Sequence, residues 1–163
     1  MTPTAAVEIR ELDASFARWD DLLALIRRSF ASMNGVIDPP SSALLLNPES
    51  LARKLHGERA FLATAGDVLA GCMFCRAEPP DCLYIGKLAL APEFQGLGIA
   101  RRLVTTAERV ARELDLPALR LEVRIELTGN HRRFEAMGFA VSAEGRHPGY
   151  DRTTYLEMRK PLA

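Results

Sequence analysis

The chain has 163 residues, of which 48% are hydrophobic, and this supplies the core of a single domain over 1–163. Its 21 basic and 21 acidic residues cancel, so no net field favours nucleic acid or an anionic membrane surface as a partner. The apolar runs are too short to span a bilayer, and the first residues lack the basic start of a signal peptide, so we expect a cytoplasmic protein.

The first half of the chain predicts two helices followed by three strands. Apolar residues at helical spacing indicate the first helix, and Asn47 followed by Pro48 is typical of the start of a second one. The turn residues Gly66 and Asp67 separate two strand-like runs and predict an antiparallel hairpin. The predicted elements are helices at about 16–30 and 48–56, and strands at about 60–64, 68–76 and 82–90.

The second half predicts a long helix, a strand, a short helix and two final strands. Apolar residues recur at helical spacing from Leu103 to Leu114, and Pro117 follows the end of that helix. Apolar and charged residues then alternate, which is typical of a strand with one exposed face. The predicted strand covers 119–125 and the short helix 130–137, with Gly138 as its cap. One further strand begins at Phe139, and the last strand covers about 153–158. This order predicts a mixed α/β domain.

Three cysteines raise the question of a metal or redox site, because Cys72 and Cys75 form a C-x-x-C pair and Cys82 lies nearby. Residues three apart on a strand point to opposite faces, so the two sulfurs of the pair should diverge. The histidines are scattered without ligand spacing. We therefore predict buried free thiols and no metal.

The segment 95–101 has the features of an anion site. Gly96 and Gly98 allow the backbone to approach a ligand closely, and the first N–H groups of a helix have no partner within it. Arg101 and Arg102 oppose the dipole of that helix, a conflict that a bound phosphate would relieve. The segment lacks the G-K-[ST] of a Walker A loop and the third glycine of a dinucleotide fingerprint. A plain turn before a surface helix is the alternative.

The pattern Gln-x-x-Gly-x-Ala at Gln95, Gly98 and Ala100 resembles the coenzyme A signature of the GNAT acetyltransferase superfamily. Downstream, the runs 121–123 and 137–139 fall where that superfamily places its next strand and its last cofactor-contacting helix. The resemblance implies a twisted, mostly antiparallel sheet with a splay between two central parallel strands, flanked by about four helices. It further implies acetyl-coenzyme A as co-substrate and a small-molecule or peptide amine as acceptor.

The resemblance also implies which residues hold the cofactor. Backbone groups of the strand that ends at Leu90 would bind the pantetheine arm, and the amides of 95–101 would surround the pyrophosphate. A backbone N–H near Leu90 would stabilise the oxyanion of the tetrahedral intermediate. The implied cofactor-binding residues are Leu88, Ala89, Leu90, Gln95, Gly96, Leu97, Gly98, Ile99, Ala100, Arg101, Asn130 and Phe134.

Acyl transfer requires a neutral amine, and an alkyl amine with a pKa of about 10.4 needs a base at pH 7. Glu122 is the first candidate, because some GNAT relatives use that position as the base; the alternative is a carboxylate paired with Arg120 or Arg124. His147 is the second candidate, and its alternative role is that of a solvated loop histidine.

Many GNAT enzymes place a tyrosine as general acid four residues before the glycine of the Gly-Phe pair, where this chain has Phe134. Either another group such as Tyr150 donates the proton, or the thiolate leaves unassisted. The absence of this tyrosine also leaves open a second hypothesis, that the protein is a coenzyme A-binding module without catalytic activity. A globular domain without a nucleotide ligand is a third hypothesis.

The acceptor pocket of the superfamily forms from the N-terminal helices and the C-terminal strands. Asp38 is a candidate for attracting a cationic amine, although it equally suits a turn before Pro39. The identity of the acceptor and the formation of a homodimer stay open. The residues implied in this pocket are Met33, Asp38, Ser41, Ser42, His147 and Tyr150.

Overall fold

A computed structural model describes residues 6–163, and all of its strands belong to one sheet. The strand order is β1-β2-β3-β4-β5-β7-β6, and every neighbouring pair is antiparallel except β4 and β5. The strands are β1 Val7–Glu11, β2 Arg59–Ala65, β3 Val68–Glu78, β4 Cys82–Leu90, β5 Ala118–Arg124, β6 Ala140–Gly145 and β7 Tyr155–Pro161. The helices are α1 Trp19–Phe30, α2 Pro48–Arg53, α3 Ile99–Glu113 and α4 Thr128–Ala136.

The predicted fold class is confirmed, and the predicted elements occur in the expected order. Asn47 caps α2 as expected, since its side chain accepts a hydrogen bond from the Ser50 N–H at 2.8 Å. Gly66 turns the hairpin with a φ of 61°, and Gly138 ends α4 with a φ of 99°. These local signals suffice because a turn or a cap depends on a few adjacent residues.

Strand β1 is the element that the sequence pattern missed. It lies at the sheet edge, where Val7 pairs with Ala65 of β2 and where none of its residues is fully buried. Such a short, half-exposed edge strand has a weak hydrophobic pattern. The last strand also extends further than predicted, to Pro161, because β7 pairs with β5 along its whole length.

The core lies between the sheet and the helices that pack on its central strands. Seven consecutive residues of β3, Leu69–Cys75, are buried, so both faces of this strand are covered. Helices α1 and α3 both pack against β3 and β4. The apolar stripe of α3 is buried as predicted, at Ile99, Leu103, Val104, Ala107, Val110 and Ala111.

Strands β4 and β5 are parallel neighbours that pair at only two positions, Leu83 with Leu119 and Tyr84 with Arg120. Beyond these positions the two strands diverge, and this is the splay. A β-bulge promotes the divergence, because β3 pairs Cys72 with Ala89 but Phe74 with Gly86, which leaves one extra residue in β4. Lys87 lies in the bulge with a φ of 50°.

Three side chains hold the closed end of the splay together, and we call them the apex clamp: Arg120, Glu78 and Tyr84. The Arg120 guanidinium donates to both carboxylate oxygens of Glu78, at 2.9 and 3.0 Å, and so ties β5 to the end of β3. It also lies over the Tyr84 ring, 4.4 Å from the centroid. The hydrogen bonds from Arg120 lower the pKa of Glu78 to about 2.

Replacing Glu78→Gln should lower the free energy of unfolding at pH 7 by about 1–2 kcal/mol, a value discounted because the carboxylate is partly exposed. The pKa of Glu78 is lower in the folded chain than its ordinary 4.5, so the ionised group stabilises the fold above pH 4.5 and loses this effect as the pH falls towards 2. Urea denaturation of both proteins across this range should give curves that converge at low pH. Glu135→Gln, on the exposed face of α4, is the control. A difference that stays constant with pH would contradict the assignment.

Candidate functional site

The splay opens into a cleft of about 1310 Å³. Its walls are the diverging parts of β4 and β5, the start of α3, helix α4, and the segment that follows α1. The two strands no longer pair here, so the backbone groups on their facing edges are not used in hydrogen bonds between the two strands.

The Leu90 amide shows which way the free edge of β4 points. The next residue, Ala91, donates to Ala70 O at 2.9 Å, whereas the Leu90 N–H donates to Ser29 Oγ at 3.1 Å and makes no bond to β3. Leu88 and Leu90 line the cleft, while Ala89 between them pairs with Cys72 and does not line it.

The glycine-rich segment forms the other end of the cleft. Gly96 and Gly98 have φ values of 79° and 82°, a left-handed conformation that other residues adopt with strain. Gly98 is the N-cap of α3 and supplies no side-chain acceptor. None of the backbone N–H groups from Gly96 to Arg101 has an acceptor among residues 6–163. This row of donors at a helix start is suited to an anion.

Cationic and apolar side chains complete this end of the cleft. Arg101 and Arg133 line it, and Arg133 donates to the Asn130 side chain at 2.8 Å. Phe134 also lines it and packs edge to face on Phe139, with ring centroids 5.7 Å apart. The arrangement offers positive charge, amide donors and an aromatic wall to one ligand.

Most of the residues implied for cofactor binding meet in the cleft, and two, Ala89 and Leu97, do not; the Leu97 side chain is 50% exposed. Among the residues predicted for catalysis and for the acceptor pocket, Tyr150 and Asp38 also lie outside the lining. The predicted residues that line the cleft are Met33, Ser41, Ser42, Leu88, Leu90, Gln95, Gly96, Gly98, Ile99, Ala100, Arg101, Glu122, Asn130, Phe134 and His147.

Glu122 lines the cleft from β5, but its carboxylate already has a partner. The Arg120 guanidinium donates to the Glu122 carboxylate at 2.8 Å, so Glu122 is linked to the apex clamp. This ion pair is the alternative role that the sequence left open for Glu122. Its role as a base stays a prediction.

His147 lies in the loop before β7 and also lines the cleft. Its Nδ1 lies 2.6 Å from Thr154 Oγ1, and burial, with the charge of Arg124, lowers its pKa below the ordinary 6.5. The neutral imidazole therefore dominates at pH 7. Tyr150, in contrast, donates its hydroxyl to Asp38 at 2.6 Å, so that proton is already engaged.

Two cleft residues escaped the sequence analysis, Lys87 and Arg124. Lys87 donates from Nζ to Ser42 Oγ at 3.0 Å, and Arg124 donates to the carbonyls of Pro39 and Pro40. A lysine inside an otherwise apolar strand was the signal available for Lys87. Nothing in the local pattern distinguishes Arg124, because its partners lie 84 and 85 residues away.

The cysteines are free and buried, as predicted. Burial raises the pKa of Cys72 to about 12, so its thiol stays protonated. No group of three or more histidine, cysteine or acidic residues within 6–163 has a geometry that would hold a metal ion. No helix in the same range is long and apolar enough to cross a membrane.

A family described as "Acetyltransferase (GNAT) family" matches residues 19–139, from the start of α1 to the end of the loop after α4. The chain belongs to the GNAT acetyltransferase family. No curated protein matches the sequence. The family match over residues 19–139, together with the fold, confirms the family membership that the sequence predicted.

Solved structures share this GNAT fold along nearly the whole chain. The PaiA N-acetyltransferase from Thermoplasma acidophilum, in complex with coenzyme A, is 18% identical with a TM-score of 0.78, over 96% of this chain and 99% of that one. The ribosomal-protein-S18-alanine N-acetyltransferase from Escherichia coli is 17% identical with a TM-score of 0.73, over 97% and 95%. A GNAT acetyltransferase from Elizabethkingia anophelis with acetyl-CoA bound is 17% identical with a TM-score of 0.67, over 96% and 98%.

Replacing Ser29→Ala should speed hydrogen exchange of the Leu90 amide and lower the free energy of unfolding by about 1 kcal/mol, because this N–H loses its acceptor. Exchange detected by NMR, together with urea denaturation, measures both effects. Ser32→Ala is the matched control, since Ser32 is an exposed serine of the same cleft wall. Unchanged Leu90 exchange would contradict the direction assigned to this edge of β4.

Proposed function

We propose that this protein transfers an acetyl group from acetyl-coenzyme A to a primary amine, by direct attack of the amine in a ternary complex. The observation that carries the proposal is the row of amides from Gly96 to Arg101, which have no acceptor among the described residues and open onto the same cleft as the free edge of β4. Membership of the GNAT family supports it, as do the related structures that hold coenzyme A or acetyl-CoA.

In this proposal the cofactor lies along the cleft from α3 to the splay. The amides from Gly96 to Arg101 bind the pyrophosphate, and the free edge of β4 at Leu88 and Leu90 binds the amide groups of the pantetheine arm. Asn130 and Phe134 contact the cofactor from α4. Leu97 contributes its backbone only, because its side chain is half exposed and outside the lining.

The acetyl transfer itself is a substitution at the thioester carbon. The amine lone pair attacks the carbonyl, the oxygen of the tetrahedral intermediate takes the negative charge, and collapse breaks the carbon–sulfur bond. The Leu90 N–H is placed to stabilise the oxyanion once it exchanges Ser29 Oγ for the carbonyl oxygen. The amine proton passes to a base and the sulfur leaves as thiolate, which a thiol pKa of about 8.5 permits without a general acid.

Two groups are proposed for the base, Glu122 and His147. The geometry favours His147, because its imidazole is neutral at pH 7 and lines the cleft, whereas Arg120 competes for the Glu122 carboxylate. Neither Phe134, which has no hydroxyl, nor Tyr150, whose hydroxyl is bound to Asp38, is assigned as an acid.

A second candidate function is a coenzyme A-binding regulatory module without catalysis. The observation in its favour is Phe134, which lines the cleft at the position where many family members have the tyrosine acid. Release of free thiol from acetyl-coenzyme A across a panel of amines separates the two functions. Turnover with any amine supports the enzyme, while tight cofactor binding with no turnover supports the module.

Replacing Gly98→Trp should weaken coenzyme A binding at least tenfold, because the side chain fills the approach to the amides and φ at this position is 82°. Titration calorimetry with coenzyme A measures the dissociation constant. Gly57→Trp is the control, since a Cβ there meets nothing within 4 Å and Gly57 does not line the cleft. If the Gly98→Trp variant binds coenzyme A with unchanged affinity, the proposed position of the pyrophosphate is wrong.

The pH dependence of kcat/KM should identify the base. If His147 accepts the proton, kcat/KM falls as the pH drops through its pKa, which lies below 6.5, because the protonated imidazole accepts nothing. His147→Gln should then remove this acid limb and lower kcat/KM about 10²-fold or more, whereas Glu122→Gln should keep the limb. If the acid limb is instead lost in Glu122→Gln and kept in His147→Gln, Glu122 is the base.

A further inference from the structure

The part of the cleft that faces away from α3 is closed by the segment 38–42, which we call the strap. Arg124 of β5 donates to the strap carbonyls of Pro39 and Pro40, and Lys87 of β4 donates to Ser42. The strap therefore joins the two diverging strands, and the two cations line the cleft from opposite walls.

Around the strap, most acidic side chains form close ion pairs, whereas two basic side chains do not. Three carboxylates near the strap have a close cationic partner: Glu122 with Arg120 at 2.8 Å, Glu58 with Lys54 at 2.9 Å, and Asp38 with Arg152 at 3.1 Å. Lys87 and Arg124 form no ion pair with any residue in 6–163. This side of the cleft thus holds two cations that no carboxylate contacts directly, although the charges of Glu126 and Asp38 act on Arg124 and that of Glu58 acts on Lys87.

Both cations are half-buried, so each has lost part of its contact with water. Burial lowers the pKa of Lys87, as do the charges of Lys54 and Arg124, against the opposing charge of Glu58. Burial also lowers the pKa of Arg124, against the opposing charges of Glu126 and Asp38. Each group keeps N–H donors that no described residue accepts, since Lys87 makes one side-chain hydrogen bond and Arg124 makes two. An anionic oxygen group of a ligand would satisfy both.

One carboxylate in the same cleft, Glu126, has an oxygen atom that lacks a hydrogen-bond donor. Glu126 lines the cleft, and its Oε1 is a buried atom without a hydrogen-bond partner in the described residues. Its other oxygen lies 3.8 Å from Arg152, beyond hydrogen-bond distance. A buried acceptor of this kind suits an ammonium or amine donor.

We propose that the acetyl acceptor is an amine that also carries a carboxylate, as an amino acid does, and that Lys87 and Arg124 bind this carboxylate while Glu126 binds the amine before it is deprotonated. The proposal rests on the acetyl transfer proposed above and names its substrate class. It accounts for two cations that form no salt bridge and for a buried carboxylate oxygen that accepts no hydrogen bond, all in one cleft. Neither a polyamine nor an amine without a carboxylate would satisfy all three groups.

The test compares amino acids with their carboxamides as acceptors, in a thiol-release assay with acetyl-coenzyme A. The acid of each pair should have a KM at least tenfold lower than the amide. The carboxamide has the more readily deprotonated amine, so amine basicity cannot produce this preference. Equal or lower KM values for the carboxamides would overturn the proposal.

Variants then assign the preference to the two cations. Lys87→Met and Arg124→Gln should each raise the KM for the acid roughly tenfold and leave the KM for the carboxamide unchanged, so that the discrimination is lost. Lys87→Arg and Arg124→Lys keep the charge and should retain most of it. Arg53→Gln, which removes an equal charge from an exposed position outside the cleft, should retain all of it. A loss that affects both substrates equally would show a structural role of the strap instead.

Binding of reaction products gives a readout that needs no turnover. N-acetyl amino acids should bind the complex with coenzyme A at least tenfold more tightly than N-acetyl amino acid amides, and Lys87→Met should abolish the difference. If no amine is acetylated, the proposed enzyme fails, and these two affinities still decide whether the cations recognise a carboxylate. Equal affinities would overturn the proposal while leaving the acetyl transfer intact.

Discussion

The site of this protein depends on the early separation of two parallel strands. β4 and β5 pair at two positions and then diverge, because β4 carries a bulge at Lys87 and has one residue more than β3 can pair. The apex clamp keeps the strands joined below that point. Above it, backbone groups that a regular sheet would consume are left to bind a ligand.

The cofactor end of the cleft combines a rigid support with unsatisfied donors. Helix α3 is fixed by its buried apolar stripe, so its first amides are held in place at the edge of the splay. Gly98 begins the helix without a capping side chain, and Arg101 adds charge where the helix dipole is already positive. Each feature disfavours the free protein, and the pyrophosphate of the proposed cofactor would offset both.

The acceptor end follows a different principle. Its charged groups come from distant parts of the chain and meet only through the strap, which binds both walls of the splay. Glu58, Asp38 and Glu122 have close cationic partners, whereas Lys87 and Arg124 form no salt bridge with a described residue and Glu126 keeps a buried oxygen without a hydrogen bond. The proposed preference for an acceptor with a carboxylate rests on this distribution of ion pairs and not on the net charge of the chain.

The sequence by itself determined the order of elements, the hairpin, the cap at Asn47 and the glycine-rich helix start, since each depends on residues that are near neighbours in the chain. It predicted the cofactor for the same reason, because the segment 95–101, which is proposed to bind the pyrophosphate, is continuous. Only the tertiary structure revealed the edge strand β1, the pairing of Arg120 with Glu78, and the hydrogen bond from Tyr150 to Asp38. It also showed that Glu122 pairs with Arg120 and not with Arg124, two pairings that the sequence left open. Most of these contacts, like those of Lys87 and Arg124 with the strap, join segments that are far apart in the chain. The others depend on which of several nearby side chains pairs with a given charged group. Both are determined by tertiary packing, which a local sequence pattern does not specify.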